Sequence, residues 1–164
     1  MSPRFLNSDP ATRSASAQAW VTIGGALFVV ALGVSALAVP QLRLLHLLQA
    51  FIYVAVVILA RRNNLFALGA GFTIAVVWNC LEIFLAHLMQ AGVVMFGSFL
   101  RTGHVDHLET MMVPLGGIGH FVLIIACLAL FNQTTDNKKW WKFLAGSVLV
   151  LGYFAVIVAI ARPR

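Results

Sequence analysis

From residue 20 to residue 39 the chain carries no charged side chain, and four further runs of nearly the same character follow. A helix needs about 20 apolar residues to cross ~30 Å of hydrocarbon, because it rises 1.5 Å per residue. The runs at 20–39, 44–60, 65–89, 111–131 and 140–161 meet or approach that length. None shows the strict alternation of barrel strands, and lipid admits only helices or closed barrels. The sequence therefore predicts an all-α membrane protein, a five-helix transmembrane bundle.

Composition closes off the alternatives. Only 10% of the 164 residues are charged and 61% are hydrophobic, against about 25% and about 45–50% in soluble domains. So few charges do not cover a water-facing surface, which excludes a soluble globular domain and a disordered chain. The net charge of +6 then reads as orientation in the bilayer rather than as attraction to nucleic acid. The partner this composition implies is the lipid bilayer, with other membrane subunits beside it.

The breaks between runs are chemically marked. Residues 1–19 form a polar tail with Arg4, Asp9 and Arg13, too poor in apolar residues to fold alone. Pro40 ends the first run, since proline lacks the amide donor and clashes with the preceding turn. Arg61, Arg62, Asn63 and Asn64 end the second, and a polar loop at 132–139 precedes the last. Residues 90–110 read as an outer loop. Its apolar piece at 93–100, flanked or interrupted by Gly92, Gly97 and Gly103, is too short to span and fits an interfacial or re-entrant segment.

Five crossings place Arg4, Arg13, Arg61, Arg62, Lys138, Lys139 and Lys142 on the amino-terminal side, and Arg43, Arg101, Arg162 and Arg164 on the other. The positive-inside rule puts the amino terminus in the cytoplasm and the carboxyl terminus outside, as expected of a multi-pass protein of a bacterial inner membrane. Trp20, Trp140 and Trp141 mark the inner interface as aromatic anchors. Ala36-Leu37-Ala38 resembles a signal-peptidase site, but the apolar run before it is long enough to span and cleavage would leave a product starting at the edge of the next run. Cys80 and Cys127 both lie inside apolar runs, where cysteine behaves as a small hydrophobe rather than half of a disulfide.

Polarity inside the runs is concentrated toward the outer side. Counting from the inner ends at 1.5 Å per residue, His46, Asn79 and Glu82 lie at ~20, ~21 and ~26 Å, and His120 at ~17 Å. These four fall in one layer, with His87 higher at ~33 Å. His46, Gln49 and Tyr53 follow the i, i+3, i+7 spacing of one helix face. Glu82 shares a face with Asn79, whereas His87 is rotated from it by about 140°. Glu82 is the most informative residue, because a carboxylate in hydrocarbon costs several kcal/mol unless paired or hydrated. Apart from Lys142 at the start of the last run, no run contains Arg or Lys, so its partners are His46, His120, Asn79, Gln49 or water. His120 follows Gly116, Gly117 and Gly119, small residues that admit close approach by another backbone or a flat cofactor.

The outer loop holds a second constellation: His104, Asp106, His107 and Glu109, four potential ligands within six residues. A divalent ion takes such donors if the loop folds back, although a solvated polar loop needs no metal and the spacing matches no catalytic motif. There is also no Cys-x-x-Cys pair, phosphate-binding glycine loop or nucleophile elbow.

Three functions follow. One is a metal- or haem-binding redox protein or subunit, in which His46, His87 and His120 ligate haem b or a divalent metal. Another is a cofactor-free enzyme in which Glu82, with His46 or His120, does acid–base chemistry on a lipid or isoprenoid-like substrate. The last is an accessory subunit or small-solute carrier, whose polar residues only tie helices together. The first is the leading expectation, and its weak point is the height difference between His87 and His120.

Overall fold

A computed structural model describes residues 10–85, 87–134 and 139–161. Arg4, Lys138, Arg162 and Arg164, which enter the charge count, lie outside the described residues, as does most of the tail before Pro10. The described chain is helical throughout its regular structure. Five stretches are long and apolar enough to cross a membrane: Thr12–Ala38, Pro40–Ala60, Leu65–Phe84, Leu108–Thr134 and Trp140–Ile160.

Helix α1 covers Pro10–Ala38, so residues 10–19 continue the first span as helix rather than forming a loose lead-in. Tertiary contacts explain the extension. Ala17 and Val21 are buried in the bundle, and the Gln18 side chain donates to the Arg61 carbonyl at 3.3 Å and to Asn63 Oδ1 at 2.9 Å. The helix stops before Pro40, and Arg43 Nε donates to the Ala36 carbonyl at 3.3 Å. Helix α2 is Arg43–Ala60. Asn63 then adopts a left-handed φ of 52°, and Asn64 caps the next helix by accepting from the Phe66 and Ala67 amides.

Helix α3, Leu65–Cys80, widens into a π-helical turn at Leu81–Leu85. His87 follows in the left-handed region, φ 50°. The third span thus ends near Phe84 instead of continuing to residue 89, and α4 starts afresh at Leu88–Thr102. Fifteen residues reach only ~22 Å, short of the hydrocarbon thickness. Gly103, at φ 69°, closes α4 with its amide on the Phe99 carbonyl. The short α5, Leu108–Met111, leads into α6, Val113–Thr134, and α7 is Trp140–Ala161.

The bundle is held by two close crossings, α1 on α6 and α3 on α7. Association inside lipid gains nothing from burying apolar surface, so it depends on how closely backbones approach. At the first crossing a Cβ on Gly24 would sit 2.8 Å from the Gly119 carbonyl oxygen, and one on Gly119 equally close to the Gly24 carbonyl. At the second, a Cβ on Gly69 would strike the Phe143 backbone, and one on Gly146 the Phe66 backbone. Hydrogen bonds tie α7 further: Ser147 Oγ donates to the Gly69 carbonyl at 3.2 Å and Tyr153 Oη to the Leu48 carbonyl at 3.1 Å. Tyr53, Leu68, Ile74, Leu123 and Leu130 fill the centre. Large apolar side chains such as Leu37, Phe51, Ile125 and Leu149 face outward, the surface a lipid-embedded bundle presents.

Candidate functional site

The polar stripe of α2 and the carboxylate of α3 converge. A cavity of about 280 Å³ opens among the carboxyl-terminal half of α1, the first turns of α2, the α3 π turn, and the start of α4 through α6. His46 and Gln49 line it from α2, Trp78 and Glu82 from α3, and Glu109 from α5. Phe28 of α1 closes one wall. The π turn is what presents Glu82, since an inserted residue widens the helix and re-aims side chains, a device frequent at functional sites.

Burial here is not matched by hydrogen bonding. Glu82 is only 7% exposed and Gln49 1%. Yet His46 Nδ1, both amide atoms of Gln49, Trp78 Nε1 and Glu82 Oε2 find no partner among the described residues. Native interiors leave few such groups, and each costs about 1–3 kcal/mol. Five of them belong to four residues that line this one cavity; the remaining three, on Asn79 and His120, lie off it.

His120 sits behind the cavity wall and does not line it. Its ring is fully buried, 3.9 Å from the Phe28 ring centroid, and its Nε2 lies 2.8 Å from Tyr53 Oη. Tyr53 packs tilted against Phe28 at 4.4 Å and stacks on His120 at 5.6 Å. The glycine run before His120 serves helix packing: Gly119 meets Gly24, and a Cβ on Gly116 would be 3.1 Å from the Phe28 ring. Helices and an aromatic ring therefore occupy the space that a flat cofactor would need on those faces.

His87 departs further from expectation. It is exposed at the start of α4 and takes no part in the cavity. The helix break just before it cancels the rotation and the height counted along a continuous α3. His46, His87 and His120 thus stand in three different settings, and the three do not gather to hold a metal ion. The outer-loop cluster also divides. His104 pairs with Asp106 at 3.2 Å and His107 with Glu109 at 3.2 Å; among the described residues no three His, Cys, Asp or Glu side chains gather to hold a metal ion. Glu109 alone of the four reaches the cavity.

Comparison with known proteins adds no neighbour. No protein-family model, curated protein or solved structure matches this chain. The site therefore stands on its own geometry.

One lining group, Trp78, escaped the sequence reading, and another, Glu109, was expected as an outer-loop ligand rather than on this cavity. Trp78 precedes Glu82 by four residues, which brings them within 40° of each other on a helix, closer than Asn79 at 60°; that spacing was available and points to the tryptophan. Asn79 is buried but lies off the lining, and its amide also has no partner among the described residues. Glu109 had no such local signature, because its place depends on how α4 folds back. Gly92 of α4 allows this fold: a Cβ there would meet the Pro114 ring and the Thr110 carbonyl.

Proposed function

We propose that this protein binds the polar head of a lipid-soluble molecule in the His46–Gln49–Trp78–Glu82 cavity and exchanges a proton with it at Glu82. The observation that carries this reading is the set of unpartnered buried donors and acceptors on one cavity. Gln49 offers both a donor and an acceptor, Trp78 a donor, and Glu82 and His46 groups whose role changes with protonation. Among the described residues no Lys or Arg lines the cavity, which argues against an anionic head group, and the head group we propose is an alcohol, phenol or carbonyl on an isoprenoid-like tail. Phe28, Leu32 and Leu45 supply apolar wall for its first carbons. In this scheme the neutral Glu82 carboxyl and a hydroxyl of the ligand each give a proton as they take one, so that both stay uncharged, and His46 carries the exchange with water toward the mouth beside Glu109.

Sidedness completes the proposal. Among the described residues Arg13, Arg61, Arg62, Lys139 and Lys142 belong to one end of the bundle, and Arg43 and Arg101 to the other. That asymmetry supports a cytoplasmic amino terminus, an external carboxyl terminus and a cavity reached from the outer leaflet. The bacterial inner membrane is the setting this orientation fits.

The test is mass spectrometry of lipids retained by the detergent-purified protein, with absorbance and metal analysis of the same sample. A hydrogen-bonding lipid is expected with the native protein and is expected to be depleted in Glu82→Gln and Gln49→Leu variants that fold normally. A Soret band or stoichiometric metal would overturn the proposal in favour of the redox reading. Equal lipid retention by both variants would leave only the accessory-subunit role.

A further inference from the structure

The opposite end of the bundle carries a second concavity, of about 460 Å³, where the α2–α3 turn meets the end of α6 and the start of α7. Arg62, Lys139 and Lys142 line it, together with Asn63, Asn64 and Phe66. We infer that it is a binding site for a phosphate group, held by these three cations and two asparagine amides.

The helix ends nearby do not need the cations. The α2 carbonyls are met by backbone amides, Arg62 on Leu59 at 3.0 Å, Asn63 on Ala60 at 2.9 Å and Asn64 on Leu59 at 3.2 Å. The Leu130 carbonyl of α6 accepts from Thr134 Oγ at 2.8 Å. Both asparagines also spend their oxygens internally, Asn63 Oδ1 on Gln18 and Asn64 Oδ1 on the Phe66 and Ala67 amides. What remains for a ligand is two NH₂ donors, a guanidinium and two ammonium groups. A phosphate, with its several acceptor oxygens, is the complement of that donor set, and the guanidinium fork can engage two of them at once.

Charge supports the same ligand. The described acids, Glu82, Asp106 and Glu109, all belong to the cavity end or the outer loop. Residues 135–138 lie outside the described part and add one acid, Asp136, and one base, Lys138, so the surplus of three positive charges is unchanged by them. Phe66 and Trp141 stand edge to face at 5.8 Å, and Lys142 Nζ lies 5.7 Å from the Trp141 ring. Both rings are exposed. An aromatic wall beside the cations is where an acyl chain would begin, which favours an anionic glycerophospholipid over a soluble phosphate as the source.

The test uses the full chain in nanodiscs. Thermal unfolding and native mass spectrometry are compared in phosphatidylcholine alone, in phosphatidylcholine with phosphatidylglycerol, and in phosphatidylcholine with added inorganic phosphate. Phosphatidylglycerol is expected to raise Tm and to be retained. Arg62→Gln and Lys142→Gln should each weaken retention about fivefold, the effect of one cation near a lipid surface. Arg101→Gln, at the other end, should leave it unchanged. Should Arg62→Gln fail to fold, Arg62→Lys keeps the charge without the fork and should still weaken retention. Equal protection by inorganic phosphate confirms the site and assigns it a soluble ligand. No gain from either anion, or equal loss in Arg101→Gln, would overturn the inference.

Discussion

At the scale of single residues, the interior holds polar groups that bond to each other and polar groups that bond to nothing else among the described residues. Tyr53 Oη and His120 Nε2 bond to each other at 2.8 Å, fully buried, against Phe28, while His120 Nδ1 has no partner among the described residues. Tyr53→Phe would leave His120 Nε2 orphaned, and we expect a loss of about 1–3 kcal/mol in unfolding free energy in detergent. Adding His120→Leu removes the orphan, so the double variant should recover much of that loss. An unchanged Tyr53→Phe would mean that the bond contributes nothing. Glu82 and Gln49 are the opposite case, and Glu82→Gln should leave the melting curve near that of the native protein. The α2 stripe and the importance of Glu82 were legible in the sequence, because a helical period and a carboxylate in an apolar run are local facts. The setting of His120 was not. Whether a buried histidine meets a tyrosine or a cofactor is decided by a helix 67 residues away.

At the scale of elements, runs of apolar residues fixed the helices well and their ends poorly. Nothing in Leu81–Leu85 announces a π turn, and neither proline nor glycine marks the break before His87. That break follows from packing, with Met89 pressed against Gly117 of α6 and Gly92 against Pro114. The forward extension of α1 likewise depends on Gln18 reaching the α2–α3 turn. Glycine placement yields a sharper prediction. Gly24→Ala and Gly119→Ala put a methyl 2.8 Å from a carbonyl oxygen of the facing helix, a clash no rotamer relieves. Each should cost about 1–3 kcal/mol. Gly33, in the same helix as Gly24, has nothing within 4 Å of its Cβ position. Gly33→Ala should therefore be neutral or stabilise by up to about 1 kcal/mol, the difference in helix propensity. Thermal unfolding of the three variants in one detergent checks both signs, and similar behaviour at all three positions would refute the crossing.

At the scale of the whole molecule, the two ends of the bundle differ in kind. One gathers cations around a polar hollow, and the other carries the histidines, the described acids and the mouth of the cavity. A bilayer turns such a difference into direction, because basic loops are retained in the cytoplasm. Helix α4 lies at the cavity end. It is too short to cross, and its exposed Val93, Val94, Phe96 and Leu100 suit the plane of the interface. Orientation can be read directly from loop accessibility. In a background with Cys80→Ala and Cys127→Ala, Asn63→Cys and His104→Cys place single thiols on exposed loop residues at opposite ends. A membrane-impermeant maleimide applied to intact cells should label the His104→Cys protein and spare the Asn63→Cys protein until the cells are permeabilised. The reverse pattern would put the cavity mouth in the cytoplasm, so that its ligand would enter from the inner leaflet and the proton leaving through His46 would be released inside the cell. The labelling pattern thus fixes the face from which every ligand experiment on the cavity has to be made.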